Sequence, residues 1–145
     1  MKNYVLDASA AILFLTKGVN YERVAALVKN ADNGNARLAI SMVNWGEVLY
    51  STAKSAGLVR ATADLKAMSV LVEPVAIDEE LAEAAATVRF HYKLGYADCF
   101  AAALAMRMDA TLVTTDPDFA KLGKMLKVLA LPRHKSYLRY QAGEF

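Results

Sequence analysis

Apolar positions along the chain fall into two rhythms. Short runs suited to the inside of a sheet alternate with longer segments whose apolar residues recur at helical spacing. NYVLD at 3–7 reads as a first strand, and ASAAILFLTK after it as a helix or tight helical turn. Asn20 is placed to cap a helix over YERVAALVKNA, which runs out into the turn-forming DNGN. RLAIS at 37–41 is the next strand, followed by a helix over VNWGEVLYSTAKSAG. Another helix runs through VRATADLKAMSV, then a strand over 71–75, where Pro74 fits an end or irregular position better than the middle of a central strand. Asp78 is placed to cap DEELAEAAATVRFHYKL, with Glu79 and Glu80 in the first turn, where the helix dipole favours acids, and Gly95 closing it. YADCFAAALAMRM restarts a helix whose alanines permit close packing. Residues 110–114 and 127–131 supply the last strands.

Strands alternating with helices at this spacing predict βα units and a mostly parallel sheet. A length of 145 residues, 56% of them hydrophobic and 22% charged, suits one globular domain spanning 1–145. In such a sheet the loops beyond the carboxyl ends of the strands form the binding cleft.

Those ends carry acids where apolar residues would pack better. Asp7 closes the first strand, Glu47 lies near the start of the helix after the second, and Asp98 sits early in the alanine-rich helix. LVTTDPDF at 112–119 ends in Asp116 and Asp118. Each has an ordinary structural reading: Asp7 as a helix cap, Glu47 as an exposed helical residue, Asp98 as an N-terminal helix acid, Asp116 or Asp118 as a cap for PDFAKL. These roles do not exclude function, because a helix start can hold a ligand acid while its amides orient it. Crowded carboxylates raise one another's pKa values, and a cation is the usual remedy. Oxygen-only donors without a nearby histidine favour Mg²⁺ or Mn²⁺ over Zn²⁺. Either ion suits phosphodiester hydrolysis, since it lowers the pKa of the attacking water and offsets charge on the phosphoryl group. One ion or two are both compatible with this set.

Charge and cysteine usage narrow the setting. The net charge of +2 hides an asymmetry: residues 1–120 hold 11 Lys and Arg against 14 acids, and residues 121–145 hold 6 against one. Lys121, Lys124, Lys127, Arg133, His134, Lys135 and Arg139, with Tyr137 and Tyr140 between them, read as a solvated surface or a phosphate-contacting one. Arg89, Lys93 and Arg107 flank the Asp98 region, and His91 reads as an ordinary surface or packing residue. Cys99, the one cysteine, reads as a buried thiol, which suits a reducing, cytoplasmic setting. No apolar run reaches the ~18 uninterrupted residues of a membrane span, so a soluble protein is expected.

VLDASA at 5–10, SMVNWGEV at 41–48, YADCFAAALA at 96–105 and LVTTDPDF at 112–119 occur in an order and spacing that resemble the PIN domain, and within it the VapC-like toxins of toxin–antitoxin modules. The resemblance runs from Tyr4 to about Leu131. It implies a three-layer α/β/α sandwich around a parallel sheet of order 3-2-1-4-5, with the acids in one cleft. Asp7, Glu47, Asp98 and Asp116 resemble the family's metal-binding catalytic acids, and Asp118 is a secondary candidate. Ser9, Asn44 and Thr114 take supporting roles, although Asn44 stands where many members carry a small hydroxyl residue.

The same resemblance implies a Mg²⁺-dependent endoribonuclease, Mn²⁺ being a possible substitute, that cuts tRNA or ribosomal RNA and stops translation. It also implies a VapB-like antitoxin as partner and a homodimer. Such a partner would cover apolar surface on the early helices, so exposure of Phe14, Trp45, Tyr50 or Leu58 would be informative; Trp45 and Tyr50 read as core. Other readings are an RNA-processing or decay nuclease, a DNA-directed nuclease, a phosphatase, or a non-enzymatic receiver-like or metal-binding interaction domain. Asp7 is followed by Ala8 and Ser9 rather than a second aspartate, which argues against an aspartyl-phosphate phosphatase.

Overall fold

Parity along each strand decides which layer a side chain joins. The computed structural model describes residues 1–133. Its strands are β1 (Lys2–Leu6), β2 (Ala36–Ser41), β3 (Val72–Val75), β4 (Thr111–Thr114) and β5 (Lys127–Ala130). They form one sheet of order β3-β2-β1-β4-β5 in which every pairing is parallel. Val5 stands level with Ala39 on β2 and Leu112 on β4, and all three enter one core. Leu6, Leu38, Ile40 and Val113 turn to the opposite core.

Helices α1 (Ala8–Thr16), α2 (Tyr21–Asp32), α3 (Met42–Ala56) and α4 (Leu58–Met68) supply the second core through residues such as Leu13, Val24, Val48 and Leu65. Helices α5 (Glu79–His91) and α6 (Tyr96–Arg107) close the other face, with Phe119 and Leu122 of the 3₁₀ segment Pro117–Met125. The three-layer α/β/α sandwich and strand order expected from the sequence are therefore present. Seven consecutive residues of α6, Cys99 to Ala105, are buried. Alanine keeps this helix slender enough to lie against both the sheet and α5. The Arg107 guanidinium at the end of α6 meets Asp78 at the start of α5, 2.9 Å away.

Pro74 lies on β3, which is an edge strand, so its missing N–H costs no internal ladder bond. Asp78 accepts from the Leu81 amide at 2.7 Å and caps α5 as expected. Two boundaries differ from the sequence reading. Asn20 precedes α2 but makes no capping bond, because its left-handed backbone (φ 73°) is not the extended conformation a capping side chain uses. Gly95 does not close α5, which ends at His91; with φ −56° it lacks the left-handed turn of a helix-stopping glycine and instead opens α6. The strand order also differs from the 2-1-3-4-5 of receiver-like folds, which removes the receiver reading.

Candidate active site

β1 has β2 on one side and β4 on the other, so the chain departs from it in opposite directions and leaves a crevice at the carboxyl ends of β1 and β4. Asp7 follows β1 directly, and Thr114 to Asp116 end β4. Asp7 is a helix cap and more. Its Oδ1 accepts from the Ala10 amide at 2.9 Å and the Ser9 hydroxyl at 2.6 Å, while its Oδ2 accepts from the Thr114 hydroxyl. Ser9 Oγ in turn accepts from the Thr115 amide at 2.9 Å, and Thr114 Oγ1 from the Asp116 amide at 2.9 Å. Two hydroxyls thus stitch the β1 loop to the β4 loop through one buried carboxylate.

A second knot holds the other wall. Asn44 is fully buried; its Nδ2 donates to Glu47 Oε1 at 3.0 Å and to the Ala97 carbonyl at 3.1 Å. Its Oδ1 accepts from the Ser41 hydroxyl at 2.6 Å, and Ser41 Oγ also accepts the Asn44 amide as the cap of α3. Asn44 therefore ties α3, which carries Glu47, to the first turn of α6, which carries Asp98. Gly95 lies so close that a Cβ there would come within 3.2 Å of Asp98 Oδ2.

Four other acids lie near enough to Asp98 to act on its carboxyl. Burial pushes the Asp98 carboxyl up to about 7, and the charges of Asp7, Asp116, Glu47 and Asp118 add to it in that order. Burial raises Asp7 to about 6; the Ser9, Thr114 and Ala10 hydrogen bonds pull it back, and the Asp116 charge pushes it up. Asp116 caps the 3₁₀ segment by accepting from the Asp118 amide at 2.9 Å, and Asp118 is exposed. Among the described residues no three Asp, Glu, His or Cys side chains converge into a ready-made metal cage. The donor set nevertheless fits Mg²⁺, a hard ion that keeps several waters and needs only one or two direct carboxylates.

Other sequence expectations separate here. Cys99 is buried, and His91 is exposed at the end of α5. Lys127 stands at the amino end of β5, away from the cleft, paired with Asp109 at 2.9 Å. Arg107 lies at the end of α6 remote from Asp98. Tyr50 is not core: it is 66% exposed, under the Lys54 ammonium. Trp45 and Phe14 are half-buried, and Leu58 is exposed. His134, Lys135, Tyr137, Arg139 and Tyr140 lie outside the described residues. The sequence reading missed Ser41, whose spacing to Asn44 and Glu47 was a usable signal. It also missed the Thr115 amide and the ion pair between Arg133 and Asp116, 3.4 Å apart. The Thr115 hydroxyl is buried with no partner among the described residues.

A parallel sandwich that gathers acids at its switch point defines a class of α/β domain suited to divalent-ion phosphodiester chemistry. Its family follows from comparison: the PIN domain model matches residues 4–125, and the chain belongs to that family of nucleases. No curated protein matches it by sequence. Solved structures share the fold. The DNA-bound VapBC of Salmonella typhimurium aligns with TM-score 0.73 at 19% identity over 90% of this chain and 98% of that one. A toxin–antitoxin complex from Klebsiella pneumoniae aligns with TM-score 0.63 at 26% identity over 88% and 96%. Mycobacterium tuberculosis VapC20, a sarcin–ricin-loop-cleaving toxin, aligns with TM-score 0.63 at 16% identity over 83% and 95%.

Proposed function

We propose that the chain is a single-domain, Mg²⁺-dependent endoribonuclease, a VapC-like toxin that cleaves tRNA or ribosomal RNA and is neutralised by a cognate antitoxin. The observation that carries this reading is the approach of Asp7, Asp116, Glu47 and Asp118 to the half-buried Asp98 carboxyl at the sheet's switch point. A half-buried carboxyl with four other acids around it is poised for a cation. Asp7, Glu47, Asp98 and Asp116 would hold Mg²⁺, or Mn²⁺ in its place, with Asp118 contributing at the rim. Bound there, the ion would supply an acidified water and charge neutralisation for phosphodiester hydrolysis. The chain's own groups set the geometry: Ser9 and Thr114 fix both oxygens of Asp7, and Asn44 fixes Glu47 relative to Asp98.

The Mycobacterium relative that cuts the sarcin–ricin loop supports RNA as substrate, and the toxin–antitoxin complexes support a protein partner. That partner has a groove to occupy. A cavity of about 390 Å³ opens between α1, α2 and α4, lined by Phe14, Leu15, Tyr21, Val28, Ala67 and Leu71 among others. We place the antitoxin there, on a homodimer of the toxin in a cytoplasmic setting; no helix among the described residues is long and apolar enough to cross a membrane.

Purified protein incubated with RNA, DNA and a phosphomonoester tests the reading. RNA alone should be cut, only with Mg²⁺ or Mn²⁺, and Asp7→Ala or Asp98→Ala should abolish cutting while leaving the fold intact. Retained activity in either variant overturns the catalytic assignment. Induction without the antitoxin should arrest translation; unchanged growth with active soluble protein overturns the toxin assignment.

A further inference from the structure

We propose that Arg133 binds a phosphate of the RNA backbone at the rim of the acidic cleft, a role that rests on the nuclease reading above. Among the described residues two basic side chains touch the five acids. Lys121 is 4.0 Å from Asp118, but its ammonium is engaged by the Lys93 carbonyl at 3.1 Å. Arg133 lies 3.4 Å from Asp116 Oδ1 through one nitrogen. That distance exceeds the 2.7–2.9 Å of a strong charge-assisted bond, and the same oxygen already accepts from the Asp118 amide. The pair is a loose, single-point contact, and its guanidinium side chain is 30% exposed. Such a contact contributes little to folding.

The chain is anchored two residues before Arg133. Leu131 extends the β4–β5 pairing by donating to the Thr114 carbonyl at 2.8 Å, and its side chain is buried. Pro132, whose ring fixes its own φ, follows, so Arg133 stands two residues beyond that anchor. Five carboxylates repel an incoming polyanion, and a cation at their edge offsets that repulsion. A guanidinium carries five N–H donors in a planar fork that matches phosphate, so one nitrogen can rest near Asp116 while others take phosphate oxygens. Arg133 thus stands beside Asp116 at the rim of the cleft, with donors left over for a phosphate.

The test is binding rather than turnover. On an Asp98→Asn background with Mg²⁺ present, the affinity for a short single-stranded oligoribonucleotide is measured across a salt series. Arg133→Gln should weaken binding about tenfold, the scale of one charged hydrogen bond. The slope of log affinity against log salt should become shallower by about 0.7, as expected for one lost phosphate contact on a single strand. Arg133→Lys should restore the slope and only part of the affinity. Arg37→Gln, on β2 and paired with Glu73 of the edge strand β3, should change neither. An unchanged slope in Arg133→Gln overturns the proposal, as does tighter Mn²⁺ binding with RNA affinity unaltered, which would make Arg133 only a counter-ion. Failure of the parent to bind RNA at all overturns the nuclease reading together with it.

Discussion

Thr114, at the end of β4, donates its hydroxyl hydrogen to the carboxylate of Asp7, at the end of β1, 107 residues earlier in the chain. The same oxygen accepts the Asp116 amide, so one hydroxyl sets the ionisation of one acid and the position of another. Thr114→Val keeps the shape and removes both bonds. The Thr114 bond lowers the Asp7 pKa, so its loss should move Asp7 above its present value of about 6. The acid limb of the pH–rate profile should shift to higher pH. Thermal unfolding should report a loss of about 1–3 kcal/mol for the unpaired buried groups.

Asp7 and Asp98 titrate in the folded chain at about 6 and about 7, against an ordinary value of 3.8. Above pH 4 an unfolded chain releases these protons while the folded one keeps them, so the folded state binds more protons across that window. Metal-free protein should therefore lose stability as the pH rises from about 4 through 7. Asp98→Asn should flatten this dependence and raise the melting temperature at pH 8 while abolishing cleavage. A pH-independent melting temperature in the parent would contradict the assigned burial of these acids.

Mg²⁺ should reverse the same loss. At a concentration one hundred times its dissociation constant, a ligand bound only by the folded state adds about 2.7 kcal/mol. The melting temperature at pH 8 should rise with Mg²⁺ in the parent, and much less in an Asp7→Asn, Asp98→Asn double variant. Calorimetry with and without chelator reads both outcomes.

Asn44 holds Glu47 and the Ala97 carbonyl from a site with no solvent exposure. Asn44→Asp replaces the two-way donor by an acceptor beside Glu47, and should cost about 3 kcal/mol or more. Asn44→Ala should cost about 1–3 kcal/mol through the unpaired Ser41 hydroxyl and Ala97 carbonyl. Both should weaken Mg²⁺ binding. Unchanged ion affinity in a folded Asn44→Ala protein would show that Asn44 does not set the spacing between Glu47 and Asp98.

Ala67 is exposed on the wall of the groove between α1, α2 and α4. Ala67→Arg should fill that groove, lower the affinity for the cognate antitoxin at least tenfold and leave RNA cleavage intact. Coexpression should then no longer neutralise the toxin. Unaltered antitoxin binding would place the partner elsewhere.

Much of this was legible because local rules and tertiary demands agree. The apolar runs around Val5, Ala39 and Leu112 alternate faces as a sheet between two layers requires, and strand boundaries fall within about one residue of the sequence reading. Pro74 argued against a central strand, and it lies within the edge strand β3; Asp78 announced its cap. The acids were legible as residues out of place among apolar neighbours. Gly95 misled because a glycine after a helical run resembles a stop, whereas its φ and its closeness to Asp98 give it a different place. Tyr50 misled because helical spacing does not say which partner covers an aromatic ring.

The chain order by itself determined the alternation of strands and helices, the exclusion of Pro74 from a central strand and the identity of the acids, since these follow from periodicity and the chemistry of single residues. Only the tertiary structure decided that Asn44 bridges α3 and α6, that Ser9 and Thr114 share Asp7, and that Arg133 returns to Asp116. Those contacts join residues up to 107 positions apart, and the closing of the sheet, not any local preference, fixes which of them meet.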